Sequence, residues 1–351
     1  MSETVKLGMV GCGVIAQRHL KHASGLYACE LAAVCDVDEK RVRATAEKFG
    51  IEKVFTDAEA LIADPGIDAV ILALPTCFRR DLGLAVLRSG KHLLTEKPVA
   101  MNAAEVAELI VARGDRVAAC CSSRMSHFRS ARAAAGAIAD GKIGRLREVH
   151  VRAVRAAGPA PAEPPPAWRL RRDLNGGGIL VNWGSYDFDF VFTLTGWNLR
   201  PKSVFAQTWT MPEILQAHQA PGSDAETHVA AQVACADGVV FRYERAERFT
   251  GENSECWQFV GDRGSIRLDM TRPMNPVYFN EVDPEKGVIT KELFHDPESR
   301  EDGHLVPVKD FIESIREGRR PATDLERSLL IARLTDGIFA SAESGGLITL
   351  E

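Results

Sequence analysis

The 351-residue sequence predicts an α/β protein in two parts. A doubly wound parallel sheet comes first, and an α+β domain with a mostly antiparallel sheet follows. Three observations predict this. Over roughly the first 120 residues, short apolar runs alternate with amphipathic stretches, as parallel strands covered on both faces require. Later runs alternate apolar and polar residues, as strands with one buried face do. At about 150 residues per domain, the length also gives roughly two domains.

The first series runs in order. Val5–Val10 reads as a strand, Gly11–Gly13 as a tight turn and Val14–Ser24 as a helix. Glu30–Cys35 is a second strand, Asp38–Phe49 a charged helix, and Val54–Phe55 a short third strand. Ala69–Leu74 is a continuous buried run ended by Pro75, and His92–Thr95 is a strand ended by the Glu96-Lys97-Pro98 turn. Helices at Cys77–Ser89 and Asn102–Arg113 flank that strand, and Arg116–Cys121 closes the series. The boundary falls near residue 123, giving domains 1–123 and 124–351. After an alanine-rich helix, Ser130–Ala139, come strand candidates at Arg147–Val154, Ser203–Trp209, Thr227–Cys235, Val239–Ala246, Glu255–Gly261 and Ser265–Met270. Pro159–Pro166 must be an extended loop, because proline removes a donor and fixes φ. Helical patterns return at Val308–Glu317 and Asp324–Ser341.

Composition excludes several function classes. Hydrophobic residues at 45% and charged residues at 26% describe a soluble globular chain rather than a disordered one. Lys and Arg number 43 against 48 Asp and Glu, so the net charge of −5 lacks the basic footprint of a nucleic-acid binder. The longest apolar runs fall far short of the ~20 residues that cross a bilayer, so no membrane role is expected. The opening segment has no cationic leader pattern, and a cytoplasmic location is expected. The eight cysteines form no C-x-x-C pair and no H-E-x-x-H occurs, so no metal site is expected.

Gly11-Cys12-Gly13-Val14-Ile15-Ala16 is a G-x-G-x-x-A motif between a strand and a helix. Its first glycine permits the turn, and its second lets backbone approach a pyrophosphate. Ala16 allows close packing, and the helix N-terminus offers N–H donors at Val14 and Ile15. Asp36 ends the second strand, where a carboxylate accepts from both ribose hydroxyls and repels a 2′-phosphate. NAD is therefore the expected cofactor, with NADP left possible by Arg41. Ligands bind beyond the carboxyl ends of parallel strands, so Leu74, Pro75, Glu96 and Lys97 face the cofactor too. Pro98 biases Lys97 away from helical backbone, and a lysine there can donate to a substrate hydroxyl or carbonyl.

The glycine motif, Gly90-Lys91-His92-Leu93-Leu94-Thr95-Glu96-Lys97-Pro98 and the later Gly176-Gly177-Gly178 run together resemble the glucose–fructose oxidoreductase/inositol dehydrogenase (Gfo/Idh/MocA) family. The resemblance extends over essentially the whole chain. It implies a Rossmann domain and NAD(P)-dependent oxidation or reduction of sugars, cyclitols and related polyols, with Lys97 catalytic. It also implies a large open sheet in the second domain that commonly forms a homodimer or homotetramer interface.

One segment departs from the family pattern G-G-G-x-L-x-D-x-G-x-H-x-x-D. Here Asn182 replaces the first aspartate, Tyr186 replaces the histidine, and Asp189 is kept. In a helix these three lie at i, i+4 and i+7 on one face, with the glycines leaving that face accessible and Phe188 and Phe192 directed into the core. A phenol is a weak base at neutral pH, and a neighbouring Lys97 ammonium favours the phenolate. The expectation is that Tyr186 exchanges the hydroxyl proton while Lys97 polarises the same oxygen. Asp189 is a third catalytic candidate, and Trp168, Arg169 and Arg124 join Lys97, Asn182, Tyr186 and Asp189 as substrate-binding candidates. Lys97, Arg169 and Arg171 together suit an anionic sugar, whereas Arg172 reads as solvated. Arg79 stands where many relatives carry histidine and adds a cation near the cofactor. Two other readings compete: an NAD-dependent redox glycosidase with no net NADH, and a non-catalytic NAD-binding sensor.

Overall fold

Residues 4–299 and 302–350 are described in a computed structural model. The chain forms two compact units. The first contains β1 (Val5–Val10), α1 (Val14–Ser24), β2 (Cys29–Cys35), α2 (Glu39–Phe49), β3 (Lys53–Phe55), α3 (Ala58–Ala63), β4 (Ala69–Leu72), α4 (Arg79–Arg88), β5 (His92–Thr95), α5 (Ala103–Arg113) and β6 (Ala118–Cys120). Its six strands lie parallel in the order β3-β2-β1-β4-β5-β6. This is a Rossmann sheet whose order reverses between β1 and β4, the place where such folds bind ligands. Every residue of β4 is buried, as a strand covered on both faces demands. Helix starts follow their caps: the Asp38 side chain accepts from the Arg41 N–H, and the Asn102 side chain from the Glu105 N–H. Helix α3, started by Asp57, was too short for its periodicity to show in the sequence.

The second unit begins at Met125 with α6 (Arg129–Ala139), β7 (Leu146–Ala156), α7 (Arg172–Asn175), α8 (Ile179–Leu194), β8 (Pro201–Trp209), β9 (His228–Cys235), β10 (Val240–Phe249), β11 (Ser254–Gly261), β12 (Gly264–Leu268), β13 (Val277–Asp283) and β14 (Gly287–Phe294). The last elements of the chain are α9 (Leu305–Glu317), α10 (Leu325–Ser344) and β15 (Ile348–Thr349). Nine strands form one open sheet, β14-β13-β12-β11-β7-β10-β9-β8-β15. It is antiparallel except where β10 runs parallel to β7. Helix α8 covers its inner face. Phe188 sits edge-on to Phe241 at 6.0 Å between ring centroids, Phe190 edge-on to Trp257 at 5.2 Å, and Phe192 stacks on Trp197 at 5.4 Å. Phe188 and Phe192 are fully buried, as their spacing predicts.

One expectation needs correction, and one hairpin went unread. The division at residue 123 is not a single cut, because Asp302–Ala332 belongs to the first unit. The reason is an apolar stripe on α9: Val308, Phe311, Ile312 and Ile315 share one buried cluster with Leu7 and Met9 of β1 and Leu20 of α1. The β13–β14 hairpin was also not anticipated. Most of its side chains are only partly buried, so the period-two signal is weak. Among the described residues, no helix is long and apolar enough to cross a membrane.

Candidate active site

The cofactor end is built from the turn after β1. Gly11 has φ +94°, a left-handed conformation, and a Cβ there would run into the Ala73 carbonyl beyond β4. Only glycine fits. At Gly13 a Cβ would meet nothing within 4 Å, and α1 starts there without a side-chain cap. The first-turn N–H groups around the exposed Val14 and half-buried Ile15 therefore face a cradle suited to a pyrophosphate. Asp36 is buried and precisely held: Oδ2 accepts from the Cys12 N–H at 2.8 Å and Oδ1 from the Asp38 N–H at 2.9 Å. Those bonds leave acceptor capacity for ribose hydroxyls. Half-exposed Arg41 approaches the same carboxylate at 3.3 Å. These residues fit a dinucleotide.

At the end of β5, Lys97 is half-buried beside the buried Glu96. One Glu96 oxygen pairs with His19 Nε2 at 2.7 Å, and the other accepts from the Lys97 N–H at 3.1 Å. Burial alone pushes the Glu96 carboxyl up, but the His19 bond and the Lys97 and Arg79 charges draw it down to about 2. The carboxylate thus stays ionised. Arg79, expected as an added cation near the cofactor, is 4% exposed and structural. It donates to the Leu74 carbonyl at 2.9 and 2.6 Å, to the Glu96 carbonyl at 3.1 Å, and to the Pro98 carbonyl. Leu74 and Pro75 hold the strand-end turn, where the Pro75 carbonyl accepts from the Phe78 N–H at 3.3 Å. Arg124 donates to His304 Nε2 at 2.9 Å, which Arg18 also reaches at 2.8 Å. Burial, then Arg124 and Arg18, hold His304 near 4, so it is a neutral acceptor at pH 7.

In the second unit, Asn182, Tyr186 and Asp189 all lie on α8, at i, i+4 and i+7. Asn182 is half-buried and donates to the Arg169 carbonyl at 3.4 Å. Tyr186 is buried, edge-on to Trp183 at 5.9 Å. Asp189 is 1% exposed and accepts from the Ser126 hydroxyl at 2.8 Å. The glycines do not keep this face open; they serve packing. A Cβ on Gly177 would press on Phe339 at 2.6 Å, and one on Gly178 would strike the Glu226 carbonyl. Trp168 is exposed, and Arg169 half-buried, in a short turn before the glycine run. Arg171 pairs with Asp173, which weakens it as an anion receptor, and Arg172 lies 6.0 Å over the Phe339 ring.

Sequence reasoning missed the polar groups that hold α8. Glu226 accepts from the Gly178 and Leu180 N–H groups at 2.8 and 3.1 Å, capping the helix from 46 to 48 residues away. Burial raises its carboxyl, against the pull of those donors. Asp187 accepts from Tyr243 Oη at 2.8 Å and Arg245 Nε at 2.8 Å, and Arg245 lies 4.6 Å over the Trp183 ring. Trp183 Nε1 donates to Glu247 at 2.9 Å. Glu226 lies in the segment before β9 and Tyr243, Arg245 and Glu247 on β10, far along the chain, so local sequence pattern carries no signal of them.

Comparison with known proteins follows the same division. Residues 5–122 match a model described as an oxidoreductase family with an NAD-binding Rossmann fold, and residues 131–267 match the GFO/IDH/MocA C-terminal domain. The chain is 27% identical to a myo-inositol 2-dehydrogenase of Thermotoga maritima over 99% of both chains. It is 31% identical to a dTDP-3,4-didehydro-2,6-dideoxy-alpha-D-glucose 3-reductase of Streptomyces violaceoruber, covering 76% of this chain and 74% of that one. A levoglucosan dehydrogenase solved with NADH and L-sorbose superposes with a TM-score of 0.85 over 100% of both chains, at 20% identity, a likeness of fold.

Proposed function

Because the chain belongs to the Gfo/Idh/MocA oxidoreductase family, we propose that it transfers hydride between NAD and a secondary alcohol or ketone of a sugar, sugar acid or cyclitol. It is an NAD(P)-dependent oxidoreductase, and its first unit is an NAD-binding Rossmann domain. The observation that carries the reading is the fixed Lys97 at the end of β5, in the domain that presents the Gly11–Gly13 turn and Asp36. When bound, the nicotinamide supplies the hydride acceptor or donor.

The chain's own residues do the rest. The α1 N-terminus binds the pyrophosphate, and Asp36 the ribose hydroxyls. Because Asp36 would repel a 2′-phosphate, NAD is preferred; half-exposed Arg41 admits NADP as a second cofactor. Lys97 donates to the substrate oxygen, and Tyr186 takes or returns its proton. Asp189, oriented by Ser126, and Asn182 bind neighbouring hydroxyls. Arg169, Trp168 and Arg124 complete the substrate-binding set.

Association into a homodimer or homotetramer through the open sheet is part of the same proposal. Its outer face carries the Arg152–Glu244 and Arg242–Glu148 pairs, with Phe205 and Trp209 each 48% exposed. Light scattering coupled to gel filtration reads the state.

The functional test is a panel of cyclitols, aldoses, anhydrosugars and sugar acids with NAD, read as NADH absorbance. A substrate that forms NADH, with Lys97→Ala losing nearly all turnover yet binding NADH, supports the reading. Near-wild-type turnover and unchanged pH dependence in Tyr186→Phe would remove Tyr186 from the proton transfer. Release of an aglycone without net NADH would instead indicate a redox glycosidase.

A further inference from the structure

A buried polar group within the first unit has no role in the scheme above. His19 is 1% exposed on α1, the helix whose N-terminus forms the pyrophosphate cradle. Its Nε2 lies 2.7 Å from Glu96 Oε1 and 3.9 Å from Cys121 Sγ. Since the Glu96 carboxylate is ionised, Nε2 carries the proton and donates. Among the described residues, His19, Glu96 and Cys121 form a group whose ligand-type atoms all lie within 4.8 Å. A metal reading is weaker than a hydrogen-bonded one. Burial and the Glu96 charge push the Cys121 thiol well above its ordinary value, so it stays a neutral thiol.

The second Glu96 oxygen is the informative one, because it accepts from the backbone N–H of Lys97 at 3.1 Å. Arg79 donates to the carbonyl of that same peptide, Glu96 C=O, and to the Pro98 carbonyl beyond it. We propose that His19 and Glu96 are positioning residues for Lys97. Held by His19 at one oxygen, the Glu96 carboxylate fixes the Lys97 peptide with the other, and so sets the direction in which the lysine side chain leaves the strand. This inference rests on the assignment of Lys97 to the chemistry. It also links the dinucleotide-binding helix to the catalytic lysine through two side chains.

Four variants of the full chain test it: His19→Leu, His19→Gln, Glu96→Gln and the double His19→Leu/Glu96→Gln. Glutamine places an amide donor near the position of the imidazole Nε2, so it should rescue the bond that leucine removes. Two readouts are needed. Hydrogen exchange followed by mass spectrometry, with electron-transfer fragmentation of the peptide spanning Leu93–Met101 to resolve single amides, reports the Lys97 amide and needs no substrate. Steady-state kinetics, with whichever panel substrate reduces NAD, reports kcat and KM, while NADH fluorescence reports cofactor binding.

The expected result is at least tenfold faster exchange of that amide in His19→Leu and Glu96→Gln, with His19→Gln within threefold of wild type. For kcat, His19→Leu and Glu96→Gln fall at least tenfold with KM changed less than threefold. The double variant falls no further than the worse single, because both act through one bond. NADH affinity of His19→Leu stays within threefold. Wild-type exchange in His19→Leu, failure of His19→Gln to rescue, or effects that multiply in the double variant would overturn the proposal. Lys97→Ala separates the two ideas. Should it turn over normally, the chemical role of Lys97 fails. Should it be inactive while His19→Leu and Glu96→Gln keep wild-type kcat, the positioning role fails alone.

Discussion

The pair Asp187–Arg245 offers a prediction whose size can be worked from the structure. Its side chains are 0% and 3% exposed, and Asp187 accepts from both Arg245 and Tyr243. Asp187→Leu removes the only anion in this group and leaves a guanidinium and a phenol hydroxyl buried without it. Breaking a buried pair from one side costs about 3–5 kcal/mol, within which the Tyr243 hydroxyl accounts for roughly 1–3 kcal/mol. Removing all the polar members in Asp187→Leu/Arg245→Met/Tyr243→Phe leaves no uncompensated charge and should recover most of that loss, to within about 1–2 kcal/mol of wild type. The assay is unfolding in urea followed by tryptophan fluorescence. Trp168, Trp183, Trp197, Trp209 and Trp257 are all five tryptophans of the chain and all lie in the second unit, so the signal reports that unit alone. Two results would refute the reasoning: a single variant that loses under about 1 kcal/mol, or a triple variant as unstable as the single.

Three further outcomes follow from the first unit. In Gly11→Ala the new Cβ meets the Ala73 carbonyl at a φ of +94°, so NADH affinity should fall at least tenfold and stability by about 1–3 kcal/mol, measured by titration calorimetry and thermal unfolding. Asp36→Asn removes the charge that opposes a 2′-phosphate and should narrow the preference for NADH over NADPH by about tenfold, roughly 1.4 kcal/mol, in fluorescence titrations; an unchanged ratio would take Asp36 out of cofactor selection. Glu96 gives a pH dependence. Its folded carboxyl lies at about 2 against an ordinary 4.5, so the stabilisation is complete above about 4.5 and is lost as pH falls toward 2. By linkage this amounts to about 3 kcal/mol, and Glu96→Gln should flatten the acid limb of the stability curve in that window. An acid limb identical to wild type would mean that Glu96 gains nothing from His19 on folding.

Legibility in the sequence divides along the range of the forces involved. The parallel sheet was readable because β4 is apolar throughout and α2 and α5 begin at capping residues, both local signals. Asp38 and Asn102 are such caps. The same reading placed the Gly11–Gly13 turn correctly, because the left-handed φ at Gly11 and the close Ala73 carbonyl leave no other residue type. What escaped was decided over long separations. The α9 stripe gave a helix but not the sheet it packs on, and hence not the return of Asp302–Ala332 to the first unit. The β13–β14 hairpin lacks a buried face strong enough to mark it.

The candidate site shows the same limit more sharply. Asn182, Tyr186 and Asp189 were placed on one helix because their spacing is an i, i+4, i+7 pattern. The groups that fix them are Ser126 on Asp189, Glu226 on the start of α8, and Arg245 on Asp187, separated in sequence by 46 residues or more. A buried polar atom must find a partner, but the sequence does not say which. Arg79 shows the consequence: an arginine near a strand end reads as a ligand-facing cation. Three backbone carbonyls that stop short of regular pairing at the ends of β4 and β5 need donors, and Arg79 supplies them. Its charge is therefore used to hold the Lys97 turn. Replacing it by histidine would remove the fork that spans Glu96 and Pro98, and the turn would have to find another donor.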